Sequence, residues 1–207
     1  MTHMLHRQGT RENLSRDYPM LAMAAQGVND KGASHKLRRF LEICWKHGPV
    51  DLGDMKQGNI FTYDAEQIGK NVADNAIIQC VFDDMDKLEA VLRELKEADL
   101  GMSVVVSGIY ENVDKCIEKA GLKHHTGNFS LGIWGKTEKL PPNDILEVTT
   151  MCGHALISAN LVRAMVQDIK AGTKTPEEAA KILAPQCACG VFNTKRAAKL
   201  MAAMAGK

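Results

Sequence analysis

Three of the six cysteines in this chain lie in two short motifs near its C-terminal end. Cys152 stands in a Met-Cys-Gly-His sequence, and Cys187 and Cys189 stand in a Cys-Ala-Cys-Gly sequence. Thiolate and imidazole groups are ligands for soft metal ions and for iron–sulfur clusters. Both motifs fall at predicted helix ends, so helices that fold back on one another bring the three thiols together. The spacing therefore predicts a metal or iron–sulfur site.

Three cysteines without an evident fourth favour a [4Fe–4S] cluster that leaves one iron open, since such clusters usually take four cysteines. An open iron acts as a Lewis acid on a hydroxyl or carboxylate, or accepts sulfur, which is typical of lyases and sulfur transferases. His154 is predicted to be the fourth ligand or a proton donor beside that iron. The leading hypothesis is an iron–sulfur protein of anaerobic metabolism with a small-molecule substrate, and an enzymatic role stays open.

Two other hypotheses use the same cysteines. Zinc held by Cys152, Cys187, Cys189 and His154 would staple the helices of a small-ligand-binding or regulatory module, although the short spacings fit zinc knuckles poorly. Alternatively, Cys187 and Cys189 form a reversible redox pair and Cys152 is a reactive thiolate. The remaining cysteines fall on apolar stripes or inside a strand and are predicted to be core residues: Cys44, Cys80 and Cys116.

Further candidate catalytic groups lie outside the cysteine motifs. Ser107 closes a predicted strand before a helix, where it and the Gly108 backbone are placed to hold a carboxylate or phosphate, although a tight turn is the preferred interpretation. His125 is a candidate acid or base, since imidazole titrates near neutrality. The N-terminal arm is rich in polar groups suited to an anionic ligand or a second subunit, and a solvated arm is preferred; its named residues are His3, His6 and Arg7.

The bulk composition narrows the class of protein. The 207-residue chain has a formal net charge of +1 and 5% aromatic residues, which argues against a nucleic-acid partner. No run of 18 apolar residues exists, and residues 1–16 lack the apolar core of a signal peptide, so we expect no membrane partner and a cytoplasmic location. Thiols or metal ligands are then expected rather than disulfides. A homo-oligomer is compatible with the exposed arm and an incomplete sheet.

Hydrophobic periodicity predicts an α/β (α+β) chain with three stretches. Residues 1–56 are predicted to be mostly helical, residues 57–136 to form an α/β sheet domain, and residues 137–207 to form a three-helix module that carries the metal or iron–sulfur site. The middle stretch alternates strand and helix, which predicts a small, largely parallel β-α-β-α-β sheet. Its strands are expected at residues 76–82, 102–106 and 129–134, with a further one at 60–63. A long helix is expected over residues 152–170.

Overall fold

The computed structural model describes the backbone of residues 2–207 and the side chains of residues 4–207. In this part of the chain one sheet has the spatial order β3-β2-β4-β1-β5. Its strands are β1 (Tyr18–Met23), β2 (Asp51–Asp54), β3 (Gly58–Asn59), β4 (Ile77–Phe82) and β5 (Val104–Val106). The α-helices are α1 (Arg11–Leu14), α2 (Ser34–Lys46), α3 (Ala65–Lys70), α4 (Met85–Ala98), α5 (Tyr110–Lys119), α6 (Asn143–Thr149), α7 (Ala159–Ala171), α8 (Pro176–Leu183) and α9 (Thr194–Met204).

The prediction of a largely parallel sheet is wrong, because every neighbouring pair of strands runs antiparallel. Strands β4 and β5 do follow one another through helix α4 and share a direction. However, β1 lies between them and pairs with both, with Met20 opposite Cys80 on one side and Val106 on the other. Two β-α-β units therefore interleave in the split arrangement known for β-α-β-β-α-β folds.

Other sequence predictions differ in their bounds. The stretch before residue 57 is not mostly helical, because it contributes β1 and β2 to the sheet. The segment 129–134 is in no strand, and its side chains are exposed, with Trp134 81% exposed. The long helix expected from residue 152 begins only at Ala159, which leaves Cys152 in the preceding loop. No helix among residues 2–207 is both long enough and apolar enough to span a bilayer.

One face of the sheet carries a core made with helices α2, α4 and α5. Alternate strand residues point to this face, as the two-residue period of a strand requires; Met20, Cys80 and Phe82 are among them. Helix α4 buries the apolar residues of one face in this core, and Asp84 caps its first turn. Cys44 and Cys116 also lie in this core, as expected.

The opposite face of the sheet contacts a second core built from helices α6 to α9. Leu21 of β1 is buried in this core, and the three cysteines of interest lie in it as well. Helix α8 begins with a capping box: the Thr175 hydroxyl accepts from the Glu178 N–H at 3.1 Å, and the Glu178 carboxylate accepts from the Thr175 N–H at 2.8 Å. The sheet and the C-terminal helices thus enclose the cysteines between them.

Candidate functional site

The cysteine side chains form a continuous chain of contacts. Cys187 Sγ lies 3.6 Å from Cys189 Sγ, and Cys189 Sγ lies 3.8 Å from His154 Nδ1. The Cys152 thiol interacts with the Cys187 thiol. All three cysteines are at most 1% exposed, whereas His154 is half-buried. The structure therefore brings together the four residues that the sequence proposes as ligands.

Backbone N–H groups point at two of these sulfurs. The N–H groups of His154 and Leu156 donate to Cys152 Sγ, and the N–H of Val191 donates to Cys187 Sγ. Such donors stabilise the thiolate form and fix the direction of the sulfur, as the outer-shell partners of metal ligands do. In both cases one donor lies four residues after the cysteine, Leu156 for Cys152 and Val191 for Cys187. The backbone after each cysteine therefore turns back towards its sulfur.

The thiols nevertheless resist ionisation without a cation. The interaction with Cys187, together with burial, raises the pKa of the Cys152 thiol far above its usual range. At Cys187 the interaction with Cys152 lowers the pKa, but contact with Cys189 and burial outweigh it and raise the pKa. A reactive thiolate needs a lowered pKa, so this environment weighs against the redox-thiol hypothesis. A bound cation would supply the positive charge that buried thiolates require.

The Cys187–Cys189 turn rests directly on strand β2. Gly190 has φ +78°, and a Cβ there would overlap the Gly53 N atom and lie 2.8 Å from Gly53 Cα. A Cβ at Gly53 would in turn lie 3.1 Å from the Ala188 carbonyl O. Glycine at both positions lets the two backbones approach this closely. Strand β2 of the sheet therefore packs directly against the turn that carries the two cysteines.

Asn59 of strand β3 forms hydrogen bonds to the same turn. Its Nδ2 donates to the carbonyl O atoms of Ala184 and Cys187 at 2.8 and 2.9 Å, and the side chain is fully buried. On the other side of the turn, Gln186 Oε1 accepts from the Ser158 N–H at 2.9 Å and so joins the turn to the start of α7. These bonds hold the two cysteine motifs in one place.

The four side chains are of the types that bind a metal through thiolates, but they do not surround a common point. Three thiols and an imidazole are the ligands of a tetrahedral Cys3His zinc site or of an iron–sulfur cluster. The contacts run in a line from Cys152 to His154, and within residues 4–207 no group of three or more His, Cys, Asp or Glu side chains is arranged so that it could hold a metal ion. Closing the line into a tetrahedron is the change that metal binding requires.

The other predicted catalytic residues lie apart from this line of contacts. Ser107 is buried at the end of β5, where its N–H donates to the Pro19 carbonyl O at 2.8 Å. His125 is exposed in the loop that follows α5. Among the described contacts, none joins either side chain to the cysteines. Lys195 and Arg196 pair with Asp83 and Asp17 respectively, at 2.7 and 2.8 Å, rather than with the thiols.

Arg7 of the N-terminal arm is buried instead of solvated. Its Nη1 donates to Asp17 Oδ2 at 2.6 Å, and its Nη2 donates to the Val191 carbonyl O, two residues after Cys189. Arg196 shares the same Asp17 oxygen at 2.8 Å. The side chain of His3 lies outside the described residues. The hydrogen bonds of Arg7 to Asp17, just before strand β1, and to Val191 therefore link the sheet to the C-terminal helices.

Sequence inspection missed several supports of the site: Gly53, Asn59, Asp51 and the Arg7–Asp17–Arg196 cluster. Gly190 is the last residue of the Cys-Ala-Cys-Gly motif, whereas no motif marks its contact partner Gly53. Asp51 is fully buried, and burial raises the pKa of its carboxyl well above the usual range, against the opposing backbone donors Leu52 and Phe192. The contacts of Gly53, Asn59 and Arg196 join segments far apart in the chain, so no local pattern marks them.

Comparison with models of known protein families, with curated proteins and with solved structures gave no match for this chain.

Proposed function

We propose that the protein binds a metal through Cys152, Cys187 and Cys189, with His154 as the fourth ligand. The observation that carries this proposal is the unbroken line of contacts between the four side chains, on sulfurs that accept backbone N–H groups. Buried cysteines that serve only as packing need no such converging donors. The metal supplies the charge that stabilises the thiolates and joins the loop before helix α7 to the Cys187–Cys189 turn.

The separation of the sulfurs favours a single ion such as zinc. Two ligands at about 2.3 Å from a tetrahedral ion lie about 3.8 Å apart. The Cys187–Cys189 and Cys189–His154 distances of 3.6 and 3.8 Å match that edge. A closed Cys3His set is typical of structural zinc, which supports a metal-stapled module that binds or senses a small ligand elsewhere.

The second candidate is a [4Fe–4S] cluster with one open iron, serving lyase or sulfur-transfer chemistry on a small molecule. Its support is the set of three cysteine thiols beside a half-buried imidazole. Cysteines on different irons of a cubane diverge, so this cofactor requires Cys187 and Cys189 to separate from 3.6 Å. The six free cysteines fit a reducing compartment such as the cytoplasm, where an oxygen-sensitive cluster would function.

Cysteine variants test the proposal. Cys152→Ser, Cys187→Ser and Cys189→Ser should each lower the metal bound per chain, measured by elemental analysis after anaerobic purification. The matched controls are Cys44→Ala and Cys116→Ala, which change thiols in the other core and should keep the full metal content. Equal metal content in all five variants would refute the assignment.

The role of His154 needs a separate variant. His154→Ala should weaken metal binding if the imidazole is a ligand, and the remaining three thiolates should still hold part of the metal. Full metal retention in this variant would instead make His154 a neighbour of the centre, as an acid beside an open iron would be.

A further inference from the structure

We infer that two copies of this chain form a homodimer through the open edge of the sheet, with residues 129–134 of each copy paired to strand β5 of the other. Within the described part of one chain, both the outer side of β5 and the segment 129–134 lack a pairing partner. None of the three cysteines lies in either segment, so the inference is independent of the proposed metal.

The outer side of β5 presents free backbone groups. Strand β5 ends the sheet and pairs with β1 alone. The Ser107 N–H donates to the Pro19 carbonyl O of the β1 side at 2.8 Å. Because backbone groups alternate in direction along a strand, the N–H and C=O groups of Val104 and Val106 point away from β1. Among residues 4–207 these groups have no hydrogen-bond partner, and such an edge is a template for one more strand.

Residues 129–134 have the sequence pattern of a strand that could occupy this edge. Apolar residues alternate with serine or glycine over the first five positions, which is the two-residue period of a strand with one apolar face. The stretch 127–135 carries no charged residue, so no charge opposes its burial. Nevertheless, Phe129, Leu131 and Trp134 are 70, 83 and 81% exposed.

The exposed apolar area of this segment is large enough for a dimer. With Ile133 included, its four large apolar side chains present about 500 Å² to solvent. A monomer rarely leaves a contiguous apolar patch of this size without a function for it. Covering the patch on both copies removes about 1000 Å², and the paired edge strands raise this towards the ~1200 Å² at which specific interfaces begin.

Contacts at its start hold the segment beside the end of β5. Phe129 stacks on Tyr110 with ring centroids 4.5 Å apart, and the Tyr110 hydroxyl donates to the Asn128 carbonyl O at 3.2 Å. Tyr110 begins helix α5, shortly after β5 ends at Val106. One end of the segment is therefore already fixed near the sheet edge, which lowers the entropy that pairing costs.

A second copy of the chain is the occupant that these features favour. Each copy offers both an open edge and an unpaired apolar segment, so a two-fold axis satisfies both and forms the same contact twice. A different protein that added one strand to β5 would leave the segment exposed. The reciprocal contact also closes on itself, so no open edge is left to recruit further copies.

Light scattering coupled to size-exclusion chromatography tests the inference on the full chain. We expect about twice the 22.7 kDa of one chain at a concentration of about 100 µM. Ile133→Asp should raise the dissociation constant about a hundredfold, because an isoleucine contact is lost on each copy at about tenfold each. The matched control is Ile182→Asp on helix α8, since Ile133 and Ile182 are 44 and 41% exposed. The control should keep the mass of the unaltered chain.

A second variant tests the edge itself. Val106→Pro removes an N–H that one chain does not use, so the bonds to β1 remain and circular dichroism should show a folded monomer. In the unaltered chain, amide hydrogen exchange of residues 104–106 should slow as the chain concentration rises.

A monomeric unaltered chain, whether or not it binds phosphatidylserine vesicles, would overturn the inference. A dimer that persists in Ile133→Asp or Val106→Pro, or that Ile182→Asp disrupts equally, would overturn it as well. Exchange at residues 104–106 that does not depend on concentration would have the same consequence.

Discussion

The contact between Gly190 and strand β2 leads to a sharp prediction for Gly190→Ala. Gly190 has φ +78°, and Gly172, at the end of helix α7, has φ +73°. Alanine is strained to the same degree at both positions, by about 1–2 kcal/mol. A Cβ at Gly172 meets nothing within 4 Å, whereas a Cβ at Gly190 overlaps the backbone of Leu52 and Gly53. Gly172→Ala is therefore the matched control for backbone strain alone.

The additional cost at Gly190 follows from the overlap. Raising the distance to Gly53 Cα from 2.8 Å to the 3.4 Å of ordinary contact already requires a movement of about 0.6 Å, and the closer overlaps with Gly53 N and Leu52 C require more. The obstacle is backbone in the middle of a sheet and cannot rotate away, so we assign the usual overpacking cost of about 1–3 kcal/mol. Gly190→Ala should thus lose about 2–5 kcal/mol of unfolding free energy, and Gly172→Ala about 1–2 kcal/mol.

Urea unfolding of both variants, followed by circular dichroism, measures this difference. Metal content measured in parallel should fall for Gly190→Ala, because Cys187 and Cys189 move with the turn, and should stay unchanged for Gly172→Ala. Equal destabilisation of the two variants would refute the close approach of the turn to β2. A destabilised Gly190→Ala that binds metal normally would show that this approach does not position the cysteines.

Three further predictions concern single side chains. Asn59→Ala removes two buried hydrogen bonds, to the carbonyl O atoms of Ala184 and Cys187, so it should cost about 1–3 kcal/mol in urea unfolding and weaken metal binding. Asn29→Ala, which removes hydrogen bonds at the surface, should cost about 0.5 kcal/mol and keep the metal. Burial raises the pKa of the Asp51 carboxyl, so its contribution to the free energy of unfolding is full below pH ~4 and declines as the pH rises through the raised pKa. Asp51→Asn should therefore flatten this decline when unfolding is measured across pH. An unchanged slope would contradict the raised pKa of Asp51. Thr175→Ala removes the capping box of α8 and should lower the free energy of unfolding by about 1 kcal/mol without loss of metal. Loss of metal in this variant would mean that metal binding responds to any destabilisation of the chain.

Some elements are determined by their local sequence. Helix α4 has an apolar stripe on one face and a capping aspartate, and helix α8 has its capping box, so each carries its own start and its buried side in its sequence. Strand β4 is rich in branched apolar residues and was also found. In these segments local preference and tertiary packing agree.

The strand order was not predictable in the same way. Strand β1 contains one tyrosine, together with proline, methionines, leucine and alanine, and no β-branched residue, so its propensity indicates a strand only weakly. It becomes one because β4 and β5 pair with it on both sides. Conversely, residues 129–134 show apolar residues typical of a strand but find no pairing partner in the described chain and stay exposed.

The candidate site also has a part that the sequence predicts and a part that it does not. The convergence of Cys152, Cys187 and Cys189 followed from motifs at helix ends, because antiparallel helices bring such ends together. The support of the site did not follow, since Gly53 and Asn59 reach the cysteine turn from more than 120 residues away in the chain. Positions of that kind become visible only once the sheet is assembled.

The most direct test of the metal-thiolate centre is elemental and acid-labile sulfide analysis of the chain purified without oxygen, together with its visible absorption spectrum. We predict about one zinc or similar ion per chain, colourless and without sulfide, as a closed tetrahedral site requires. About four irons with labile sulfide and a brown colour would keep the three cysteines as ligands but replace the single ion with a cluster. A chain that stays metal-free after anaerobic incubation with zinc, or with iron and sulfide, would contradict the proposal that these cysteines bind a metal.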